Sequence, residues 1–379
     1  MTPIYLDNAA TTPIDKEVID VMCKSMLENN GNPSSTHQFG RKAKSSVETA
    51  RKNIAKHFNV TASEIIFTAG GTEADNLIMH NAVLNLDVDV IITTKIEHHA
   101  VLHTADYLSK TYKTRIVYVD VTNKGEIDLH HLETVLLKEE KSKCLVSLMY
   151  VNNEIGNILP VQEVSTLCKK YNALFHSDTV QAIGHYKLDL QKTPMDFIAA
   201  SAHKFHGPKG VGFAYFKKGF GILPMLHGGD QEKGARSSTE NVHSILGMEK
   251  ALDIAIGNIA SDTTYLTELK SYFISELESS FSDIAFNGNS AVLDKSSYTI
   301  LSTRFSKAND MLLFSLDLNG IAVSGGSACQ SGSSKGSHVL QGILNDIETE
   351  KTSVRFSFSK YTTKCEIDTT IDNLKELLN

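Results

Sequence analysis

The 379-residue sequence predicts an α/β protein, a large, mainly parallel sheet domain joined to a small α+β domain. Three features carry that prediction. Short apolar runs alternate with helical patterns through the first part of the chain, and the rhythm changes beyond about residue 240. A content of 41% apolar and 21% charged residues supplies a large core, divided over about two domains.

Residues 39–58 place Ala43, Val47, Ala50, Ile54 and Phe58 three or four apart, the stripe of an amphipathic helix whose apolar face packs on a sheet. The runs EIIFTA, VDVIITT (88–94), RIVYVDV (115–121), CLVSLMYV (144–151) and ALFHSD (173–178) read as strands linked by crossover helices, covered on both faces. After residue 240 a long helical pattern through Ile245, Leu252, Ile256 and Ile259 leads into a mixed segment. That segment is expected to hold strands near 297–305, 320–324 and 353–358 and a last helix carrying Ile367, Ile371, Leu374 and Leu378. The large domain is placed at 16–254 and the small one at 1–15 with 255–379. The stretch SGGSACQSGSSKGS at 324–337 holds ten Gly and Ser residues, too few packing side chains for a core, and reads as a mobile loop.

Composition narrows the function. A net charge of −7 argues against a basic nucleic-acid surface. No stretch approaches the roughly 20 apolar residues that span a bilayer. The start MTPIYLDNAATTPID lacks the basic and apolar segments of a secretory signal, so the mature chain is expected to begin at Met1. Five scattered cysteines, Cys23, Cys144, Cys168, Cys329 and Cys365, do not form a secreted disulfide framework, which points to a reducing, cytoplasmic setting. There is no C-x-x-C or HExxH, and His98-His99 and His130-His131 are weak metal candidates, so no metal site is assigned.

Ligands of an open parallel sheet collect at the carboxyl ends of its strands, so four loops matter. AGGTEADN after the first run offers Gly70, Gly71 and Thr72 at a helix start, either a phosphate cradle or a plain N-cap. KIEHHAV carries His98, and TVQAIG after ALFHSD follows Asp178 and carries Gln181; singly, each also reads as a helix-capping or exposed polar residue. SAHKFHGPKGVG follows the apolar DFIAA and sets Ser201, His203 and Lys204 at a strand end. Partial burial there eases deprotonation of the amine and suits it to Schiff-base chemistry. Neither a P-loop sequence nor a dinucleotide fingerprint is present.

The runs YLDNAATT, GNPSSTHQFGRKA, FTAGGTEADN, EHHAV, VNNEIGNILP, FHSDTVQAIG, SAHKFHGPKGVG, STENV and SGGSACQSG together resemble the NifS/IscS-type cysteine desulfurases, in that family's order from Tyr5 to about Arg355. The resemblance implies the pyridoxal-phosphate-dependent transferase fold (aminotransferase fold type I) and pyridoxal 5'-phosphate as cofactor. Lys204 would hold the cofactor and carry protons at the substrate's α carbon, Asp178 would pair with the ring nitrogen, and His98 would stack on the ring and assist proton transfer. Gln181 would meet the phenolic oxygen, and Gly71, Thr72, Ser201 and His203 the phosphate. Asn153 and Arg355 would bind L-cysteine, the arginine as a planar fork on its carboxylate. The STENV segment implies a homodimer in which Thr239 reaches the neighbouring subunit's phosphate. The expected products are L-alanine and a Cys329 persulfide, passed to a sulfur-accepting scaffold or carrier for iron-sulfur cluster assembly or thiolation.

Cys329 stands in the Gly/Ser stretch, a setting suited to sulfur transfer, whereas Cys23, Cys144 and Cys168 fall on helical or strand patterns and read as small core residues. Cys365 begins the last helical pattern and stays ambiguous. Two alternatives remain: another enzyme of the same fold, such as a small aminotransferase or a selenocysteine lyase, and a non-catalytic scaffold. One departure stands out. The family's Arg-x-Gly-Thr segment reads Arg236-Ser237-Ser238-Thr239, with serine where glycine is usual, and the local turn is expected to differ.

Overall fold

The structure, a computed structural model, describes residues 3–306, 308–325 and 336–378. After a short strand β1 (Ile4–Tyr5) and the helices Lys16–Glu28 and Gln38–His57, the chain enters a seven-stranded sheet. Its members are β2 (Ile65–Thr68), β3 (Val90–Thr93), β4 (Arg115–Tyr118), β5 (Cys144–Ser147), β6 (Leu174–Asp178), β7 (Phe197–Ser201) and β8 (Gly212–Phe216), in the order β2-β8-β7-β6-β5-β3-β4. Only β8 runs against its neighbours β2 and β7, so the other six strands point the same way. Strand β8 was not among the expected runs. It follows a Gly-Pro turn so closely that its residues read as the end of the preceding loop.

Alternation along the strands splits the core in two. Val90 and Ile92, Cys144 and Val146, and Phe213 and Tyr215 face one apolar layer. Ile91, Leu145, Ala214 and Phe216 face the other. Period-two side-chain geometry thus makes each run apolar on both sides, as a helix-covered sheet requires. The helix Gln38–His57 buries Ala43, Val47, Ala50 and Ile54, the expected stripe.

The helix Val242–Ser280 joins two cores. Its first half gives Ile245, Met248, Ala251 and Leu252 to the large sheet's layer. Its second half gives Leu266, Leu269, Phe273 and Leu277 to a separate cluster with Leu301, Phe356, Ile367, Ile371 and Leu374. That cluster covers an antiparallel sheet of β9 (Ala285–Phe286), β10 (Ile300–Arg304) and, after β11 (Ile321–Ala322), β12 (Ser353–Ser357), and the helix Lys364–Leu378 closes it. Strand β11 instead pairs in parallel with β1, and Ile4 and Leu6 lie in the same cluster.

One cysteine departs from expectation. Cys144 and Cys168 are buried, but Cys23 is exposed. The helix Lys16–Glu28 buries Val18 and Ser25, and Cys23, five residues from Val18, points away from that face. Cys365 is exposed at the start of the last helix.

Candidate active site

Every parallel strand delivers its following loop to one edge of the sheet, and a cavity of about 210 Å³ lies there. Residues of the AGGTEADN loop (Gly71, Thr72, Asp75), His98, Met149, Val151, Asn153, Asp178, Gln181, Ser201, His203, Lys204 and Arg355 all line it. Sequence positions from Gly71 to Lys204 therefore converge because strand polarity, rather than proximity in the chain, sets their place, and Arg355 joins them from β12 of the smaller sheet.

Asp178 is the last residue of β6, buried, with Oδ1 accepting the Val180 N–H at 2.9 Å. Burial raises its pKa, opposed by His98 and Lys204. Past the end of β7, Lys204 closes a single 3-10 turn (Ala202–Lys204) and donates from Nζ to the carbonyls of Ala9 (2.6 Å) and Ala10 (2.9 Å). Gln181 Nε2 donates to the same Ala9 carbonyl at 2.8 Å. The segment after β1 thus forms part of the cavity wall through backbone oxygens, which carry no side-chain signature in a sequence.

His98 caps the helix His99–Tyr112, its Nδ1 accepting the Ala100 N–H at 3.1 Å. A neutral ring so bonded carries its proton on Nε2. Burial lowers its pKa, with Asp178 pulling the other way. His203 contacts the Thr11 hydroxyl at 3.1 Å, and burial, aided by Lys204 and Lys209, lowers its pKa to about 4.

Gly71 opens the helix Gly71–Leu84 directly after β2. A Cβ at this position would stand 2.5 Å from Val180 Cγ2, so the close approach of helix start and Val180 requires glycine. Arg355, 2% exposed on β12, donates from Nη1 to the Asn153 carbonyl (2.7 Å) and from Nη2 to Asp7 Oδ1 (2.9 Å). Its buried Nε has no hydrogen-bond partner.

Two expected residues are not in this group. Thr239 is exposed and lines a different cavity with Arg236 and Ser238. Cys329 lies outside the described residues, as does most of the stretch read as a mobile loop. Asp7 and Asp75 escaped the sequence reading. Among the described residues, Asp75, His98 and Asp178 form the one group of three whose donor atoms lie within 4.8 Å of one another. His99 stacks on His103 (ring centroids 4.7 Å apart) and meets His338 at a tilt (4.3 Å), and His131 lies against Asp120 at 2.9 Å.

A lysine, a buried carboxylate and an imidazole at the strand ends of this sheet, with a second smaller core beside it, define an enzyme of aminotransferase architecture. Residues 4–370 match the family described as aminotransferase class-V. The chain is 43% identical to the Cysteine desulfurase IscS of Dictyoglomus turgidum, over 99% of this chain and 94% of that protein. It is 39% identical to the Cysteine desulfurase IscS of Clostridium botulinum, over 99% and 94%. Among solved structures, a NifS-like protein superposes with a TM-score of 0.91 at 36% identity, covering 100% of this chain and 99% of that one. The NifS-like protein from Rickettsia africae does so with 0.87 at 33%, covering 99% of each. SspA in complex with cysteine does so with 0.81 at 27%, over 95% and 100%. The chain belongs to the aminotransferase class-V family, and within it to the cysteine desulfurases.

Proposed function

We propose that the cavity holds pyridoxal 5'-phosphate and that the chain takes sulfur from L-cysteine onto Cys329, releasing L-alanine. The observation that carries this reading is the opening of Lys204, Asp178, His98 and Arg355 onto one cavity. The donor set fits the cofactor. Gly71 and Thr72 open a helix at the cavity wall, a setting that suits a phosphate, and the buried Asp178 carboxylate calls for a cationic partner. When bound, the cofactor supplies an electron sink that makes the α proton of an attached amino acid acidic.

The side chains supply the rest. Gly71, Thr72, Ser201 and His203 would hold the phosphate, Asp178 would keep a positive charge on the ring nitrogen, and Gln181 would meet the phenolic oxygen. Lys204 would remove and return the proton at Cα, and His98, with its proton on Nε2, would lie against the ring and assist that transfer. Asn153 and the Arg355 fork orient the substrate carboxylate. The Cys329 thiolate attacks the substrate sulfur, an S–S bond forms as the Cβ–S bond breaks, and the released electron pair takes a proton to give alanine. The persulfide then passes to a scaffold or carrier for iron-sulfur assembly or thiolation.

The exposed position of Thr239, apart from its own chain's cavity, supports a homodimer in which it serves the neighbouring subunit. A large domain at 16–254 and a small one at 1–15 with 255–379 agree with the two apolar clusters that the helix Val242–Ser280 joins. No helix among the described residues is long and apolar enough to cross a membrane. A cytoplasmic setting rests on the scattered cysteines.

Incubation of the purified protein with L-cysteine tests the reading. Equal yields of alanine and transferable sulfur, one added sulfur on the Cys329 peptide by mass spectrometry, and borohydride trapping of the cofactor on Lys204 are expected. A keto acid in place of alanine would move the chain to the aminotransferases.

A further inference from the structure

Two carboxylates face the cavity where the cofactor reading needs one. Asp178 comes from the end of β6, and Asp75 from the second turn of the helix Gly71–Leu84. Both line the cavity, and their oxygens and a His98 nitrogen lie within 4.8 Å of one another. Two anions cannot share so dry a space at that separation, so the pair holds a proton between pH extremes.

The surroundings decide which member keeps it. Asp178 accepts the Val180 N–H and faces the His98 and Lys204 side chains, all of which favour its ionised form. Asp75 is 1% exposed, and its Oδ1 accepts no hydrogen bond. His176 Nε2 stands 3.4 Å from that oxygen, longer than a good hydrogen bond, and the same ring contacts Ser147 Oγ through Nδ1 at 2.9 Å. The other group facing Asp75 is Glu97, a further acid.

We propose that Asp75 is a positioning residue that remains a neutral carboxylic acid and so confines the pair's single negative charge to Asp178, the carboxylate that would pair with the ring nitrogen. The proposal rests on the cofactor reading above. The direction of titration agrees with it. Asp75 is raised well above the usual carboxylate range by burial first and then by Asp178 and Glu97, and burial leaves the facing His176 neutral, with a pKa of about 3. Were Asp75 to ionise, its field would drive a proton onto Asp178 and strip the charge that the ring nitrogen needs.

Infrared spectroscopy of protein labelled with carboxyl-13C aspartate reads the state directly. The apoprotein and the cofactor-loaded protein at neutral pH should both show a protonated-aspartate carbonyl band that disappears in Asp75→Asn. In the loaded protein, Asp75→Asn should keep the wild-type midpoint in a pH titration of cofactor absorbance, because one neutral group replaces another. In the Asp178→Asn apoprotein the Asp75 band should lose its proton at a pH lower by about one unit or more, since the like-charged neighbour is gone. A wild type without the band, or an Asp75→Asn absorbance midpoint moved by about one unit, would overturn the proposal. If Asp75→Asn does not fold, the wild-type band and its response to Asp178→Asn still decide. Failure of the cofactor reading would show separately, as protein that takes up no chromophore while the apoprotein band persists.

Discussion

Arg355 is held by Asp7, with Nη2 2.9 Å from Oδ1, across nearly the whole length of the chain. The Asn153 carbonyl fixes Nη1 at 2.7 Å, and the buried Nε is left without a partner. A guanidinium oriented on two sides before substrate arrives loses little freedom on binding a carboxylate.

Arg355→Lys keeps a charge but loses the fork. Hydrogen bonds to charged groups contribute about 1.5–3 kcal/mol, so KM for L-cysteine should rise by about one to two orders of magnitude, with kcat changed much less. Steady-state kinetics separate the two parameters. A fall in kcat at constant KM would remove Arg355 from carboxylate binding.

One substitution can separate the helix cap that His98 makes from the proton-transfer role proposed for it. Asparagine is a good N-cap, so His98→Asn should preserve the cap made to the Ala100 N–H and change stability by less than about 1 kcal/mol. Loss of the imidazole should slow alanine formation by roughly 10²–10⁴. Denaturant titration beside turnover checks both halves, and an unimpaired rate would leave His98 as a cap alone.

The architecture was legible where burial imposes a rhythm. Runs such as Val90–Thr93 are buried on both faces of the sheet and stay apolar throughout, and the Ala43–Ile54 stripe marks a helix that faces it. Strand β8 was not legible because the Gly-Pro turn before it leaves no boundary signal. In the site, the rule that ligands gather at strand ends picked out His98, Asp178 and Lys204. It could not find Ala9 and Ala10, which act through backbone carbonyls, or Asp75, whose helix buries residues around most of its circumference and shows little periodic contrast. Asp7 was hidden for a related reason, since its partner Arg355 lies in another element far along the chain.

Arg51 and Glu232 form a buried two-bond ion pair at 2.6 and 2.7 Å, and Glu232 also accepts the N–H of Phe67, the third residue of β2. Arg51→Ala would strand a buried carboxylate and should cost about 3–5 kcal/mol in urea unfolding. Arg51→Met combined with Glu232→Met should recover much of that loss, because the desolvated charge is gone along with its partner. Equal losses in the single and double variants would contradict this account.

Ser238 answers the one departure from the family pattern. Its φ is +103°, so the turn before Thr239 keeps a conformation suited to glycine while carrying a side chain there. Ser238→Gly should relieve strain and stabilise the protein by about 1 kcal/mol. A denaturation midpoint that does not rise would show that the serine is accommodated without strain.

Glu97 gives the stability an unusual dependence on pH. Its carboxylate is buried between the Thr94 hydroxyl (2.9 Å) and the Met149 N–H (2.8 Å), and burial, with Asp178 adding to it, raises its pKa from 4.5 to about 8. Below pH 4.5 the group is protonated in both folded and unfolded chains and contributes no difference. Between 4.5 and about 8 the unfolded chain gives up the proton and the folded one keeps it, so this group's share of stability falls as pH rises and levels off above that range. Glu97→Gln places a permanently neutral group in the same contacts, with the amide oxygen accepting from Met149 and the amide nitrogen donating to Thr94. The variant should therefore unfold at a urea concentration that declines less with pH than wild type, and the gap between the two should widen from pH 5 towards pH 8, the interval bounded by the shift to about 8. Parallel curves for the two proteins across that interval would mean that Glu97 is ionised in the folded state, despite its burial.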